Sequence, residues 1–108
     1  MKINEIYTAY VSWNKGGKRR PVLVLKDDDV SVTVFKITSK YETNSPSIQR
    51  YFYPIKEWQE SGLVKQSYID TITRLNLMRK DVRFNYAGRL SVRDRNGLAE
   101  FIRNNDIN

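Results

Sequence analysis

KRRPVLVLKDDDVSVTVFKI, residues 18–37, holds the two strands and the turn on which the fold reading rests. Pro21 has a fixed φ and no amide hydrogen, so it can open a strand but cannot sit centrally in one, and Arg20-Pro21 marks a strand's start. Residues 22–25 are aliphatic throughout, the pattern of a strand covered on both faces. The three aspartates at 27–29 make a turn. Beyond it Val30, Val32 and Val34 alternate with Ser31, Thr33 and Phe35, the period of two expected of a strand. Strand, tight turn and strand make an antiparallel meander. Three adjacent cations stand at its mouth, either as solvated decoration or as an arginine mounted rigidly to handle an anion.

The flanking sequence extends the same pattern. EIYTAYVSW, residues 5–13, is rich in β-branched and aromatic types and reads as a first strand. NKGG, 14–17, reads as a turn, because adjacent glycines weaken any regular element. Residues 39–49 form a long polar connection around Asn44, Ser45, Pro46 and Ser47. RYFYPI, 50–55, is a strand ended by Pro54. IKEWQESGL, 55–63, has room for a short helix stopped by Gly62. SYIDTITRL, 67–75, returns to strand character, and 77–89 reads as a brief helical turn followed by a short strand. Ser91 can cap a helix running to about Asn104, with Asp94 as the return partner of a capping box. Leu98, Phe101 and Ile102 share one face of it. Gly97 opposes that helix by roughly 1 kcal/mol of propensity. Among the aromatics, exposed rings could stack on unpaired bases; alternation sets Tyr51 and Tyr53 opposite Phe52, so one face is core, and Trp58 reads as packing or interface rather than a stacking platform. The fold class is mainly β: one small antiparallel domain over 1–108, its short strands suited to a partly open barrel, with a C-terminal helix.

Composition limits the chemistry. The chain has 108 residues, no cysteine and no histidine. Disulfide scaffolds, thiolate and imidazole metal sites, cysteine nucleophiles and histidine acid–base catalysis are all excluded. Any reaction must use Asp, Glu, Arg, Lys, Tyr, Ser or Thr. The sequence shows neither a stretch long enough to cross a membrane nor a signal-peptide core, which places the protein in the cytoplasm. A net charge of +7, from 19 basic and 12 acidic residues, suits a nucleic acid or an anionic protein as partner. The excess is focused on Lys15, Lys18, Arg19 and Arg20, and again on Arg79, Lys80, Arg83, Arg89, Arg93 and Arg95, which face only Asp81 and Asp94.

Four segments taken together resemble the PemK/MazF family of toxins from bacterial toxin–antitoxin systems. They are residues 17–25 (GKRRPVLVL), 35–39 (FKITS), 67–70 (SYID) and 88–91 (GRLS) ahead of a helix, and the resemblance runs in order over nearly the whole chain. The resemblance implies an SH3-like, partly open β barrel of the CcdB/PemK kind that forms homodimers. It implies a metal-independent, ribosome-independent and sequence-selective endoribonuclease that cuts single-stranded RNA, needs no cofactor and is inhibited by a cognate antitoxin. By position, Arg20 matches the active-site arginine ahead of proline. Thr38 or Ser39 matches a hydroxyl residue after the third strand, and Asp70 an acidic catalytic residue. Residues 39–49 match a variable loop beside the substrate groove. Lys18, Arg19, Ser39, Lys40, Arg50 and Tyr68 are the expected RNA contacts. The sequence departs from the family pattern in the first loop, where Asn14-Lys15-Gly16-Gly17-Lys18 lacks the acidic residue and glutamine of many members. It departs again at Tyr68, where some members carry an arginine beside the acid.

RNA brings its own nucleophile, the 2′-hydroxyl, so the protein need only take up a proton, stabilise the phosphorane and help the 5′-oxygen leave. Arg20 suits the second task, since its planar fork holds two phosphate oxygens and its charge persists at neutral pH. Thr38 and Ser39 either donate to a non-bridging oxygen or merely satisfy a turn. Asp70 is either the base or the salt-bridge partner of a nearby arginine. The same fold also serves toxins that poison DNA gyrase without cleaving RNA, and a basic face equally suits an RNA- or DNA-binding module that cuts nothing.

Overall fold

The computed structural model describes residues 1–13 and 16–107, with the backbone alone for 11–13 and 16. Six strands, β1 (Glu5–Trp13), β2 (Gly16–Asp27), β3 (Ser31–Thr38), β4 (Phe52–Pro54), β5 (Tyr68–Met78) and β6 (Phe84–Arg89), form one sheet in the order β4-β5-β3-β2-β1-β6. Every neighbouring pair is antiparallel. β4 and β6 are the two edges and do not pair, so the sheet is not a closed barrel. A one-turn helix α1 (Pro46–Gln49) lies in the polar connection, and α2 (Val92–Asn104) closes the chain. None of the described helices is long and apolar enough to cross a membrane.

Alternation along the strands divides the apolar residues between two clusters. Ile6, Leu23, Phe35, Ile37 and Ile69 join Tyr53, Ile55 and Leu90 beneath Leu98 of α2. Ala9, Val22, Val24, Val32 and Val34 form the second cluster, covered by Tyr7, Leu75, Leu77 and Phe84. The central strands are therefore buried on both faces, which explains the unbroken run at 22–25. Bulges bend the sheet at Ile6/Tyr7, Val24/Lys26 and Phe35/Lys36. The last is the largest: Phe35 pairs with Arg74 and Lys36 with Asp70, so residues 71–73 of β5 loop out of register.

Several boundaries differ from the sequence reading. Gly16 and Gly17 belong to β2 and pair with Trp13 and Ser12 rather than turning. A Cβ on Gly17 would overlap the Tyr10 ring, so the missing side chain here makes room for that ring. Asn14 and Lys15, the rest of that expected turn, lie outside the described residues. Pro21 sits within β2 and not at its start. The sheet tolerates it because β3 pairs with β2 only from Val22 onward, leaving one side of residues 16–21 without a ladder. Val30 precedes β3 and is 63% exposed, so it does not share the buried face of Val32 and Val34.

The turn itself is held by Asp28, whose carboxylate accepts from the amides of Val30 and Ser31, while Asp29 takes a left-handed φ of 73°. β4 is shorter than residues 50–55, because the Arg50 and Tyr51 amides are spent on the carbonyls of Pro46 and Ile48 in α1. IKEWQESGL makes consecutive turns instead of a helix. Its hydrogen bonds change spacing from Ser61–Glu57 to Gly62–Gln59 to Leu63–Trp58, so no ladder builds. Gly62 takes a left-handed φ of 88° at the end of these turns, with no helix there for it to stop. The helical turn at Arg79–Asp81, the strand after it and α2 also follow the sequence reading.

Candidate nucleic-acid interface

Beyond Ala9 on β1 and before Val22 on β2, the two strands pair only with each other, as a ribbon standing out from the sheet. Lys18, Arg19 and Arg20 lie along it. Where the ribbon leaves the sheet, Lys18, Arg19, Arg20 and Pro21 meet Ile37, Thr38 and Ser39 from the end of β3. Leu63, Val64, Lys65 and Ser67, from the turn before β5, close the third side of a cleft of about 190 Å³. The lining holds four cations and three hydroxyls and no carboxylate. Among the described residues none of these cations makes an ion pair. Uncompensated like charges around a concave surface repel one another and attract an anion.

The hydroxyls are positioned by backbone. Thr38 Oγ1 accepts from the Lys40 amide at 3.1 Å, the turn-satisfying role, which leaves its own hydrogen free to donate. Ser67 Oγ donates to the Lys65 carbonyl at 2.9 Å and fixes the path of the turn that carries Lys65.

A second, larger cleft of about 510 Å³ adjoins the first through Ser39, which lines both. Its other walls are Lys40, Tyr41, Glu42, Thr43, Gln66 and Tyr68. Tyr41 and Tyr68 stack with ring centroids 4.4 Å apart and planes 17° from parallel. The polar connection that carries Tyr41 is tied to itself: Gln49 Nε2 donates to the Tyr41 carbonyl at 3.0 Å and Asn44 Nδ2 to the Lys40 carbonyl at 2.8 Å. The long loop is thus a shaped wall.

The structure brings together Arg20, Thr38, Ser39, Lys18 and Arg19 at the first cleft and Ser39, Lys40 and Tyr68 at the second. Two of the expected residues stand apart. Asp70 faces Lys36 across the β3–β5 ladder, with Oδ2 3.9 Å from Nζ and Oδ1 accepting from the Ile72 amide. It lines neither cleft, and its salt-bridge partner is a lysine. Arg50 lies over the Tyr51 ring at 4.7 Å and donates to Tyr51 Oη, away from both clefts. Lys65, Tyr41 and Gln66 escaped the sequence reading. Their one available signal was position, since Lys65 and Gln66 directly precede the SYID segment and Tyr41 lies near the start of the polar connection.

No protein-family model matches the chain, and no curated protein matches it either.

Proposed function

We propose that this chain is a toxin of the PemK/MazF kind that binds single-stranded RNA across the two clefts and cleaves it at a phosphate held by Arg20. The observation that carries the reading is the carboxylate-free cleft, in which Arg20, Lys18, Arg19 and Lys65 converge with the Thr38 and Ser39 hydroxyls. Four positive charges and neutral donors suit a phosphodiester, and the adjoining tyrosines suit unpaired bases. The bent, open antiparallel sheet is compatible with the SH3-like barrel of such toxins. A homodimer, a cognate antitoxin and a cytoplasmic site of action belong to the same proposal.

In this reading the 2′-oxygen attacks phosphorus and the bond to the 5′-oxygen breaks, leaving a 2′,3′-cyclic phosphate and a 5′-hydroxyl. Arg20 holds two non-bridging oxygens in its fork and stabilises the charge that builds on them. The Thr38 hydroxyl donates to one of the same oxygens while its oxygen remains fixed by the Lys40 amide. With no carboxylate in the lining, the 2′-proton leaves to solvent and a solvent proton reaches the 5′-oxygen. Catalysis then consists of in-line positioning and electrostatic stabilisation. The chemistry needs no metal.

That missing base also favours a second reading, in which the same clefts bind RNA or DNA without cutting. Incubation with varied single-stranded RNAs in excess EDTA, followed by mapping of product ends, separates the two. Fragments ending in 2′,3′-cyclic phosphate support the enzyme. RNA that stays intact at high protein while binding in a salt-sensitive way supports the module. Neither cleavage nor binding would leave inhibition of a topoisomerase as the reading to test.

A further inference from the structure

The ribbon that stands out from the sheet carries an aromatic ring on one face. The register of β1 and β2 sets Tyr10 opposite Arg19 and Ser12 opposite Gly17. Side chains alternate along a strand, so Tyr10, Arg19 and Gly17 share one face, and Lys18 and Arg20 belong to the other. On the first face the Tyr10 side chain folds down towards Gly17. A Cβ on Gly17 would stand only 2.5 to 2.6 Å from Cε1, Cζ and Oη of the ring. The outer edge of the ring therefore rests on glycine backbone, where any other side chain would push it away. Tyr10 still keeps 50% of its surface exposed and belongs to neither core cluster. One side of the ring covers backbone and the other faces water.

Both residues are costly where they stand. Glycine weakens a strand interior, and it often marks a close approach that a side chain would block. A tyrosine left half in water gains only part of the burial energy its ring can supply. Together they make a preset surface. A ring held down on backbone has already given up rotamer freedom, so a second ring can stack on its open side at a lower entropic cost.

The neighbouring charge points to the occupant. Arg19, directly across from Tyr10, is exposed and lines the carboxylate-free cleft. Paired strands lie about 5 Å apart. A nucleic-acid strand with a phosphate at Arg19 thus brings an adjacent base within reach of the ring, on the same face of the ribbon. A protein partner would meet one ring set among Thr8, Arg19 and Pro21, too small an apolar patch to dock on.

We infer that Tyr10, laid across Gly17 beside Arg19, is a stacking platform for an unpaired RNA base, outside both clefts. Every base has a π-face, so the platform adds affinity without choosing a sequence. The proposal rests on the RNA reading of the cleft that Arg19 lines, and it extends the path of the strand from that cleft onto the ribbon.

The test compares oligoadenylate with an abasic oligomer of the same ribose-phosphate backbone and length, each bound to the full chain in EDTA and followed by fluorescence anisotropy. Tyr10→Leu keeps an apolar cover over Gly17 and removes the π-face. It should weaken oligoadenylate by about fivefold or more and the abasic strand by less than about twofold. In the wild-type protein, the Tyr10 ring protons should shift upfield on adding oligoadenylate and not on adding the abasic strand, a reading that needs no variant to fold. Equal weakening of the two strands in Tyr10→Leu would make the ring a support for the ribbon and overturn the platform. Unchanged affinity of the variant for oligoadenylate, or wild-type Tyr10 resonances that do not move, would overturn it too. Each of these results leaves the RNA reading intact. Failure of the wild-type protein to bind either strand overturns that reading and the platform with it.

Discussion

Gly97, in the middle of α2, lies directly against the Tyr53 ring: a Cβ there would overlap the Tyr53 hydroxyl and stand 3.0 Å from Tyr53 Cζ. That hydroxyl donates at 2.8 Å to Asp94, one turn earlier in the same helix. Asp94 is fully buried and also accepts from the Lys56 and Glu57 amides, each at 2.9 Å. The Ser91 cap accepts from the Asp94 amide, but the Asp94 carboxylate does not return the bond to the cap's backbone as a capping box would. It pins the helix to the segment after β4. Burial and the Asp94 contact together push the Tyr53 phenol well above its ordinary pKa, which keeps it a neutral donor.

The helix propensity scale puts Gly97→Ala at about 1 kcal/mol stabilising, whereas overpacking against Tyr53 costs about 1–3 kcal/mol. The net change should be destabilising. Asp94→Ala should cost more, about 3 kcal/mol, because it strands the buried Tyr53 hydroxyl and two partly buried amides. Urea denaturation of the two variants checks both, and a stabilised Gly97→Ala would show that the ring moves aside freely.

Acid stability should depend on the opposite end of the sheet. The Arg79 guanidinium, then the chain's first amino group and the Asp29 amide, hydrogen-bond the Asp27 carboxyl and hold it well below the usual carboxylate range. A carboxylate depressed in the folded state adds stability that is complete above its unfolded value of about 4 and is lost as pH falls through the folded value. Arg79→Ala should flatten the fall in melting temperature between about pH 5 and pH 2 and change it less near pH 7 in high salt. An unchanged acid limb in the variant would mean that other carboxylates set it.

Much of the sheet could be read from residues alone. The alternation of Val32 and Val34 with Ser31, Thr33 and Phe35, the aspartate turn and the helix face of Leu98, Phe101 and Ile102 are local signals, and local hydrogen bonding and packing decide those elements. The errors share a cause in tertiary context. Pro21 is excluded from a central strand only where both neighbours pair, and nothing in the sequence says where β3 stops. Gly16-Gly17 reads as a turn unless the Tyr10 ring is known to lie across it. Gly88 gave no sign that its backbone crosses Ser61, whose carbonyl a Cβ would strike. The cleft was half legible for the same reason. Arg20 and Thr38 announce themselves by motif, whereas Lys65, Tyr41 and Gln66 reach the clefts through turns whose geometry depends on distant contacts.

RNA affinity should fall steeply with salt. Four phosphate-facing cations imply a slope of log Kobs against log salt near −3, at about 0.7 per phosphate on a single strand. Lys65→Ala should reduce that slope by about 0.7 and weaken every sequence equally. A titration series between 50 and 200 mM salt, about the range over which such effects are measured, gives both numbers. No change on removing Lys65 would take it out of the interface.

The pH dependence of cleavage distinguishes solvent from a side chain as proton acceptor. With no carboxylate in the cleft, the cleavage rate should rise with pH from about 6 to 9 without a plateau from a protein base. A rate that levels off above an acidic midpoint, and a variant Asp70→Asn that loses the plateau, would assign the proton to Asp70 and require Lys36 to release it.

The most direct measurement is cleavage of single-stranded RNA in excess EDTA by the wild-type protein and by Arg20→Ala, with product ends mapped and the variant's melting temperature recorded alongside. Arg20 is half-buried at the edge of a ribbon and makes no ion pair among the described residues, so its removal should leave the fold stable. The account predicts wild-type fragments ending in 2′,3′-cyclic phosphate and a folded variant at least 100-fold slower, roughly the loss of one oxyanion donor. A folded Arg20→Ala that cuts as fast as the wild type would contradict it.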